Sequence, residues 1–273
     1  LEAWGFAVDL TAATGTNGWS VSNVGNPGSA TGVSLTGSVR NDTLTGGSGI
    51  DVLNGGAGDD ILTGGDGYDT FIITAGNDQI TDLGAGGHDS LVVGSGATFN
   101  VTLGRNWTAG DESGNDGTVN ITAAGYSVDL TVATCGNNGF MVSNAGNGTA
   151  VTLTGSQQAD TLIGGSGADT LRGDEFGDIL DGGAGDDSLS GDNGEDSLTG
   201  GAGNDTFIVT DGTDTITDLG NGADVLVVSE GATLNATLAW AWTTTASSSN
   251  DGTAKLEAWG FAVDLTAATG TNG

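Results

Sequence analysis

Large apolar residues return at every ninth position in two stretches of this chain. From Gly155 to Ile208 they are Leu162, Leu171, Leu180, Leu189, Leu198 and Phe207, and from Gly37 to Ile72 they are Leu44, Leu53, Leu62 and Phe71. Each follows an aspartate by two places: Asp160, Asp169, Asp178, Asp187, Asp196 and Asp205 in the longer stretch, Asp42, Asp51, Asp60 and Asp69 in the shorter. Counting the aspartate as place six, glycine dominates places one, two and four. The three residues around place eight alternate out, in, out, which is the minimum period-two strand, and the glycines supply a tight turn before it. One nonapeptide is therefore predicted to be a turn plus a short strand. Two of them close a flattened coil of eighteen residues, and stacked coils give an all-β, parallel β-solenoid with a thin core of Leu, Ile, Val and Phe.

The phase outlasts the recognisable glycines. Asp78 and Ile80 continue the first array, a looser turn then brings Asp89 and Leu91, and the second array repeats this with Asp214 and Ile216, then Asp224 and Leu226. Between the arrays, Ala97 to Leu103 and Thr118 to Thr131 are rich in Thr, Val and alternating apolar residues, with Asn-Asp-Gly turn signals at 115–117 and 250–252. The expected organisation is a β-rich spacer over 1–36, a β-roll array over 37–93, a spacer over 94–154, a second array over 155–228 and the next spacer over 229–273. A spacer can continue the solenoid with larger coils or form a small docked sandwich. Continuation is favoured because it hides sheet edges.

Residues 1–18 return unchanged as residues 256–273, and Thr118 to Gly139 is a central relative, so equivalent Val-Asp-Leu-Thr steps begin at Val8, Val128 and Val263. The second interval carries two additional nonapeptides, offset by small deletions. This is the expectation for a window from a longer tandem array, whose partners are neighbouring copies of the same repeat.

Composition narrows the reading. The 53 glycines and 5% aromatic content do not supply a bulky globular core, and the net charge of −31 opposes compaction unless counter-ions are present. That charge excludes a nucleic-acid partner, since no basic stripe exists to neutralise phosphates. The lone Cys135 excludes an internal disulfide framework, and no apolar run is long enough to span a membrane. In stacked coils Asp51 lies over Asp69, and Asp169 over Asp187, about 5 Å apart. Two bare carboxylates at that distance repel by about 3 kcal/mol at an effective dielectric near 20. Something cationic is needed between them, and carboxylate and carbonyl oxygens without histidine or thiolate favour calcium.

The nonapeptide resembles GGxGxDxUx of the RTX (repeats-in-toxin) calcium-binding β-roll family. The resemblance covers both arrays and their continuations, and it implies that the place-six aspartates are side-chain ligands. In order these are Asp42, Asp51, Asp60, Asp69, Asp78, Asp89, Asp160, Asp169, Asp178, Asp187, Asp196, Asp205, Asp214 and Asp224. It further implies that turn carbonyls complete the shell, represented by Gly46, Ser48, Gly55, Ala57, Gly164, Ser166, Gly182 and Ala184. Asp82 and Asp218, in the shared Ile-Thr-Asp-Leu-Gly, are either extra ligands or acidic turn residues. Val39, Arg40, Gln157, Gln158 and Phe176 depart from the pattern and mark weaker or capping turns.

The resemblance also implies secretion to the cell surface or beyond by a type I route, with folding on extracellular calcium. The expected role is a structural segment of a large bacterial surface protein, such as a filament, surface layer or adhesin stalk. Alternatives are an RTX module attached to a polysaccharide-acting enzyme, or a segment that contacts glycans. Catalysis within this chain is not expected. His88 is the only histidine, and there is neither an HExxH motif nor a GxSxG elbow. The recurrent aromatics Trp107 and Trp242, Trp19 and Phe140, and Tyr126 and Phe261 are expected to pack the spacers, while Trp4, Trp240 and Trp259 are candidate surface contacts.

Overall fold

Place six and place eight control the local structure, one through hydrogen bonds and the other through burial. The computed structural model describes residues 1–24, 32–238, 240–258 and 262–271, and it shows strands of up to seven residues where three were expected. Thr43–Ser48 and Ile61–Asp66 belong to the first array, and Thr170–Glu175, Ile179–Ala184, Ser188–Asn193 and Ser197–Ala202 to the second. Pairing runs on through the first glycines of the next nonapeptide, as in Gly47 with Gly65 and Gly183 with Gly201. A Cβ on Gly183 (φ +97°) would strike the Gly165 carbonyl oxygen, so only glycine permits that approach. The expected strand was too short because the glycines serve the ladder as well as the turn.

Leu44, Leu53, Leu62, Phe71, Leu162, Leu180, Leu189, Leu198 and Phe207 are fully buried. Each contributes about 2 kcal/mol through burial. Identical residues meet across the sheet, as Leu44 on Leu62 and Leu180 on Leu198, and the eighteen-residue repeat keeps every rung in register.

The chain divides into two compact units, Leu1–Thr122 with Val132–Phe140, and Ala123–Thr131 with Met141–Gly273. In the first, one parallel sheet runs in the order Val8–Asp9, Ser34–Thr36, Val52–Asn54, Thr70–Ile73, Ser90–Val93, Gly114–Asn115, Cys135–Gly136. A second contains Ser20–Ser22, Thr43–Ser48, Ile61–Asp66 and Gln79–Ile80, and Thr98–Thr102 pairs with Thr118–Thr122. In the second unit, Met141–Ser143 and Thr161–Gly165 begin one parallel sheet that ends at Thr233–Leu238 and Thr253–Glu257, and Val128–Asp129 begins the other, which ends at Ser249–Asn250. Parallel strands ordinarily need long crossovers, and here the other half of each coil is the crossover.

Within each unit the spacer strands extend the sheets of the array, so the spacer is more solenoid and not a sandwich. The coils lengthen instead: Leu44 pairs eighteen residues on with Leu62, whereas Thr98 pairs with Thr118, Val92 with Gly114, and Thr233 with Thr253. No helix among the described residues is long and apolar enough to cross a membrane.

The spacer tryptophans close the arrays. Trp107 and Trp242 are buried, and each indole N–H donates to a main-chain carbonyl, those of Asp89 and Asp224, at 3.1 Å in both cases. Trp19 and Phe140 do not behave alike. Phe140 is buried, whereas Trp19 is 44% exposed, so the expectation of a shared packing role fails for Trp19. Tyr126, Trp4 and Trp240 are exposed, and Trp259 and Phe261 lie outside the described residues.

Phe176 occupies place four, where Gly58 and Gly185 adopt φ +120° and +125°, and it is itself held at φ +69° with its ring exposed. A left-handed non-glycine residue costs about 1–2 kcal/mol. Phe176→Gly is therefore expected to stabilise the calcium-loaded chain by about 1 kcal/mol, read as a higher midpoint in urea. An unchanged or lower midpoint would show that the ring's contacts outweigh the backbone strain.

Candidate metal centre

The place-six aspartates are carboxylates buried almost completely: Asp51, Asp60, Asp69, Asp169, Asp178, Asp187, Asp196 and Asp214 are at most 2% exposed. One oxygen of each is used by the coil below. The backbone N–H of Asp42 donates to Asp60 Oδ1 at 2.7 Å, Asp51 to Asp69 at 2.9 Å and Asp60 to Asp78 at 3.0 Å. The second array repeats the ladder, with Asp160 N–H to Asp178 at 2.7 Å, Asp169 to Asp187 at 2.6 Å, Asp178 to Asp196 at 2.8 Å and Asp187 to Asp205 at 3.0 Å. These bonds fix each χ1 and aim the second oxygen back over its own turn.

That second oxygen is where the chemistry lies. Oδ2 of Asp51, Asp60, Asp69, Asp78, Asp169, Asp178, Asp187, Asp196 and Asp214 is buried with no hydrogen-bond partner. A buried unpaired carboxylate oxygen is costly, and a row of them at one position of a repeat fits a cation as their partner. Seven of them point at the first glycine of their own turn, since a Cβ on Gly46, Gly55, Gly64, Gly164, Gly173, Gly182 or Gly191 would collide with the Oδ2 five residues later, whereas Ile73 and Val209 hold that place before Asp78 and Asp214. The opposite wall is a carbonyl one coil on. The Gly64 oxygen stands 2.6 Å from a Cβ built on Gly46, and the Gly200 oxygen 2.7 Å from one on Gly182. Each cradle thus offers carboxylate and carbonyl oxygens and is too tight for a side chain.

Among the described residues, no three acidic, histidine or cysteine side chains converge on one point. The site is therefore not a carboxylate cage. It is built from one carboxylate per turn with main-chain oxygens, an all-oxygen donor set suited to a hard cation such as calcium. The cations in the ion pairs of Arg172 with half-buried Asp192 and of Lys255 with exposed Glu257 are on exposed side chains.

Without a cation, these acids hold a proton more tightly than an ordinary carboxylate does. Burial, and then the carboxylates one coil above and below, push Asp178 up to about 8, Asp60 and Asp69 to about 7, Asp214 to about 7, and Asp78 and Asp205 to about 6. Asp51, Asp169, Asp187 and Asp196 shift upward too, burial being the leading cause in each. The accepted backbone N–H groups oppose these shifts without cancelling them.

The ends of both ladders are finished differently. Asp42 Oδ2 accepts the N–H and hydroxyl of Ser38 at 2.5 and 2.9 Å, and Asp160 Oδ2 accepts those of Ser156 at 2.5 and 3.0 Å. At the far ends, Asp89 Oδ2 takes the Gly84 N–H and Asp224 Oδ2 the Gly220 N–H, each at 2.7 Å. Asp82 spends both oxygens on Gly64 and Gly65 N–H, and Asp218 on Gly200 and Gly201 N–H. These carboxylates satisfy the terminal main chain.

Of the expected carbonyl donors, Gly55 and Gly182 turn theirs toward the glycine and Oδ2 of the coil before, while Gly46 and Gly164 form the floors of the cradles of Asp51 and Asp169. Ser48, Ala57 and Ala184 are half-buried and Ser166 is exposed, beside the cradles and not in those contacts. Sequence reasoning missed the capping serines. Their signal was present, since the opening repeat of each array has serine, Ser38 or Ser156, at place two, where the other repeats have glycine or aspartate. His88 stacks on Tyr68 with ring centroids 5.6 Å apart.

Comparison with known proteins agrees with this geometry. The family model described as RTX calcium-binding nonapeptide repeat matches in four copies, over residues 36–71, 145–180, 172–207 and 181–216. A comparison with curated proteins finds no match.

Proposed function

We propose, from the premise that both arrays are RTX calcium-binding nonapeptide repeats, that this chain is a calcium-dependent structural segment of a secreted surface protein. The observation that carries the reading is the row of orphaned buried Oδ2 atoms, seven of which face a glycine cradle. Calcium would be held there by the interior aspartates and the carbonyls of the place-one glycines. It supplies positive charge to buried acids that otherwise repel or protonate.

The net charge of −31 keeps the chain expanded where calcium is scarce, and ions filling the ladder make it compact and stiff. Extracellular modules of this kind bind at about 10⁻⁴ to 10⁻³ M, which suits folding after export through a type I route. The role is mechanical and not catalytic, which is supported by acids that recur at lattice spacing and by the lone histidine stacked on Tyr68. Neighbouring copies of the repeat are the partners, in a filament, surface layer or adhesin stalk.

The test is a calcium titration at neutral pH followed by far-ultraviolet circular dichroism, with magnesium as control. A cooperative gain of β-structure in calcium alone is expected, because magnesium dehydrates reluctantly and demands a tighter octahedral site. A chain equally folded in a chelator would overturn the proposal.

A further inference from the structure

The eighteen residues that occur twice show two different neighbourhoods, and together these describe a joint. In the first copy the segment bonds forward along the chain. Leu1 N donates to Ser20 O at 2.7 Å, Ala3 N–H to Ser22 O at 2.7 Å, Gly5 N–H to Asn23 Oδ1 at 2.8 Å and Leu10 N–H to Thr36 O at 2.9 Å. In the second copy it bonds backward: Thr253–Glu257 pairs with Thr233–Thr237, Val263–Asp264 with Trp242–Thr243, and Trp242 N–H donates to Ala262 O at 3.0 Å.

These two sets use different main-chain groups. In a parallel strand alternate residues turn to opposite neighbours. Thr253 N–H bonds backward to Ala232 O, so Lys255 and Glu257 turn the same way, and Leu256 and Ala258 turn the other way. Leu256 and Ala258 are the equivalents of Leu1 and Ala3, which use that forward direction to bond Ser20 and Ser22. The second strand obeys the same parity. Ala262 and Asp264 accept from the backward side, while Leu10, the equivalent of Leu265, donates forward.

Exposure is complementary as well. Leu1 is 64% exposed whereas its equivalent Leu256 is half-buried, and Leu265 is 51% exposed whereas its equivalent Leu10 is half-buried. The open end around Leu256 and Leu265 encloses a cavity of about 320 Å³ lined by Leu226, Trp242, Ala254 and Ala268. The central relative supports the forward half of the joint, since Ala123 N–H donates to Ser143 O and Gly125 N–H to Asn144 Oδ1, as Ala3 and Gly5 do.

We infer that the edge formed by residues 256–258 and 262–271 is a docking surface for the next copy of this chain, entered in register by that copy's residues 19–24 and 32–36. One shared segment then carries both parallel sheets across the seam without a hinge. This rests on the tandem-array reading above. The test compares the 273-residue chain with the same chain continued after Gly273 by a second copy of residues 19–273, both in calcium, by hydrogen exchange at single-amide resolution.

Leu256, Ala258 and Leu265 amides are expected to exchange at least about tenfold more slowly in the continued chain, because they gain Ser20-, Ser22- and Thr36-type acceptors. Equal exchange in the two chains would overturn the joint. A calcium titration of both chains separates the two ideas. Protected seam amides without any calcium response leave the joint standing and overturn the calcium reading, whereas a calcium response with unprotected seam amides does the reverse.

Discussion

Asparagine in place of Asp187 is expected to raise the calcium concentration at the folding midpoint about tenfold, while Asp160→Asn shifts it little. Asp187 stands in the middle of the second array. Its Oδ1 accepts the Asp169 N–H at 2.6 Å, and the asparagine carbonyl can keep that bond. Its Oδ2 is buried without a partner beside Gly182, and the amide nitrogen would replace it there. A neutral donor cannot ligate a cation, so the array loses one ion and the tie between neighbouring coils.

The same amide would donate to the cradle carbonyls, so the calcium-free form should be less unstable than in the parent chain. Asp160 differs because Ser156 already occupies its Oδ2 with an N–H and a hydroxyl. Circular dichroism titrations of both variants check this. Equal midpoints would mean that the interior and terminal carboxylates do not differ in function.

The second large effect is of pH on the calcium-free chain, which is expected to gain β-structure as pH falls from about 8 to about 5. Unfolded aspartates titrate near 4. In the fold, burial first and stacked neighbours second raise Asp178 to about 8, Asp60, Asp69 and Asp214 to about 7, and Asp78 and Asp205 to about 6. The folded state therefore holds more protons than the unfolded one, and its stability falls as pH rises between about 4 and those values. Above that window the acids ionise and calcium must take over from the protons.

In calcium the dependence reverses in part. Protons compete for the cradles, so the calcium midpoint should rise on acidification, and folding at neutral pH should release protons. Chelator-treated protein followed by circular dichroism across this range, with proton release measured on adding calcium, checks both statements. A calcium-free chain whose β-content does not change across the window would show that the buried acids are not what holds it unfolded.

Much of this was legible in the residues themselves. A strict nine-residue period with Asp at place six and Leu or Phe at place eight fixes coil length, register and core in one step. Each rung must repeat its neighbour, so Leu44 has to stand on Leu62 and Asp51 beside Asp69. The donor chemistry followed from the same residues, since oxygen is the only ligand type the turns offer.

What the local pattern could not fix were properties of stacked neighbours. Only the fold decided that strands continue through the glycines, because that depends on how closely two coils approach. Only the fold divided the aspartates into interior ones with an orphaned oxygen and terminal ones answered by Ser38, Ser156, Gly84 or Gly220, because an identical carboxylate differs only in what the adjacent turn presents. The spacers kept the solenoid for a similar reason. Their sequence loses the nine-residue period, yet a parallel sheet edge accepts any strand with free main-chain groups, and a turn lengthened by a few residues preserves the pairing. The sequence alone determined the repeat and its chemistry, and the stacking of one coil on the next decided which oxygens were left for an ion.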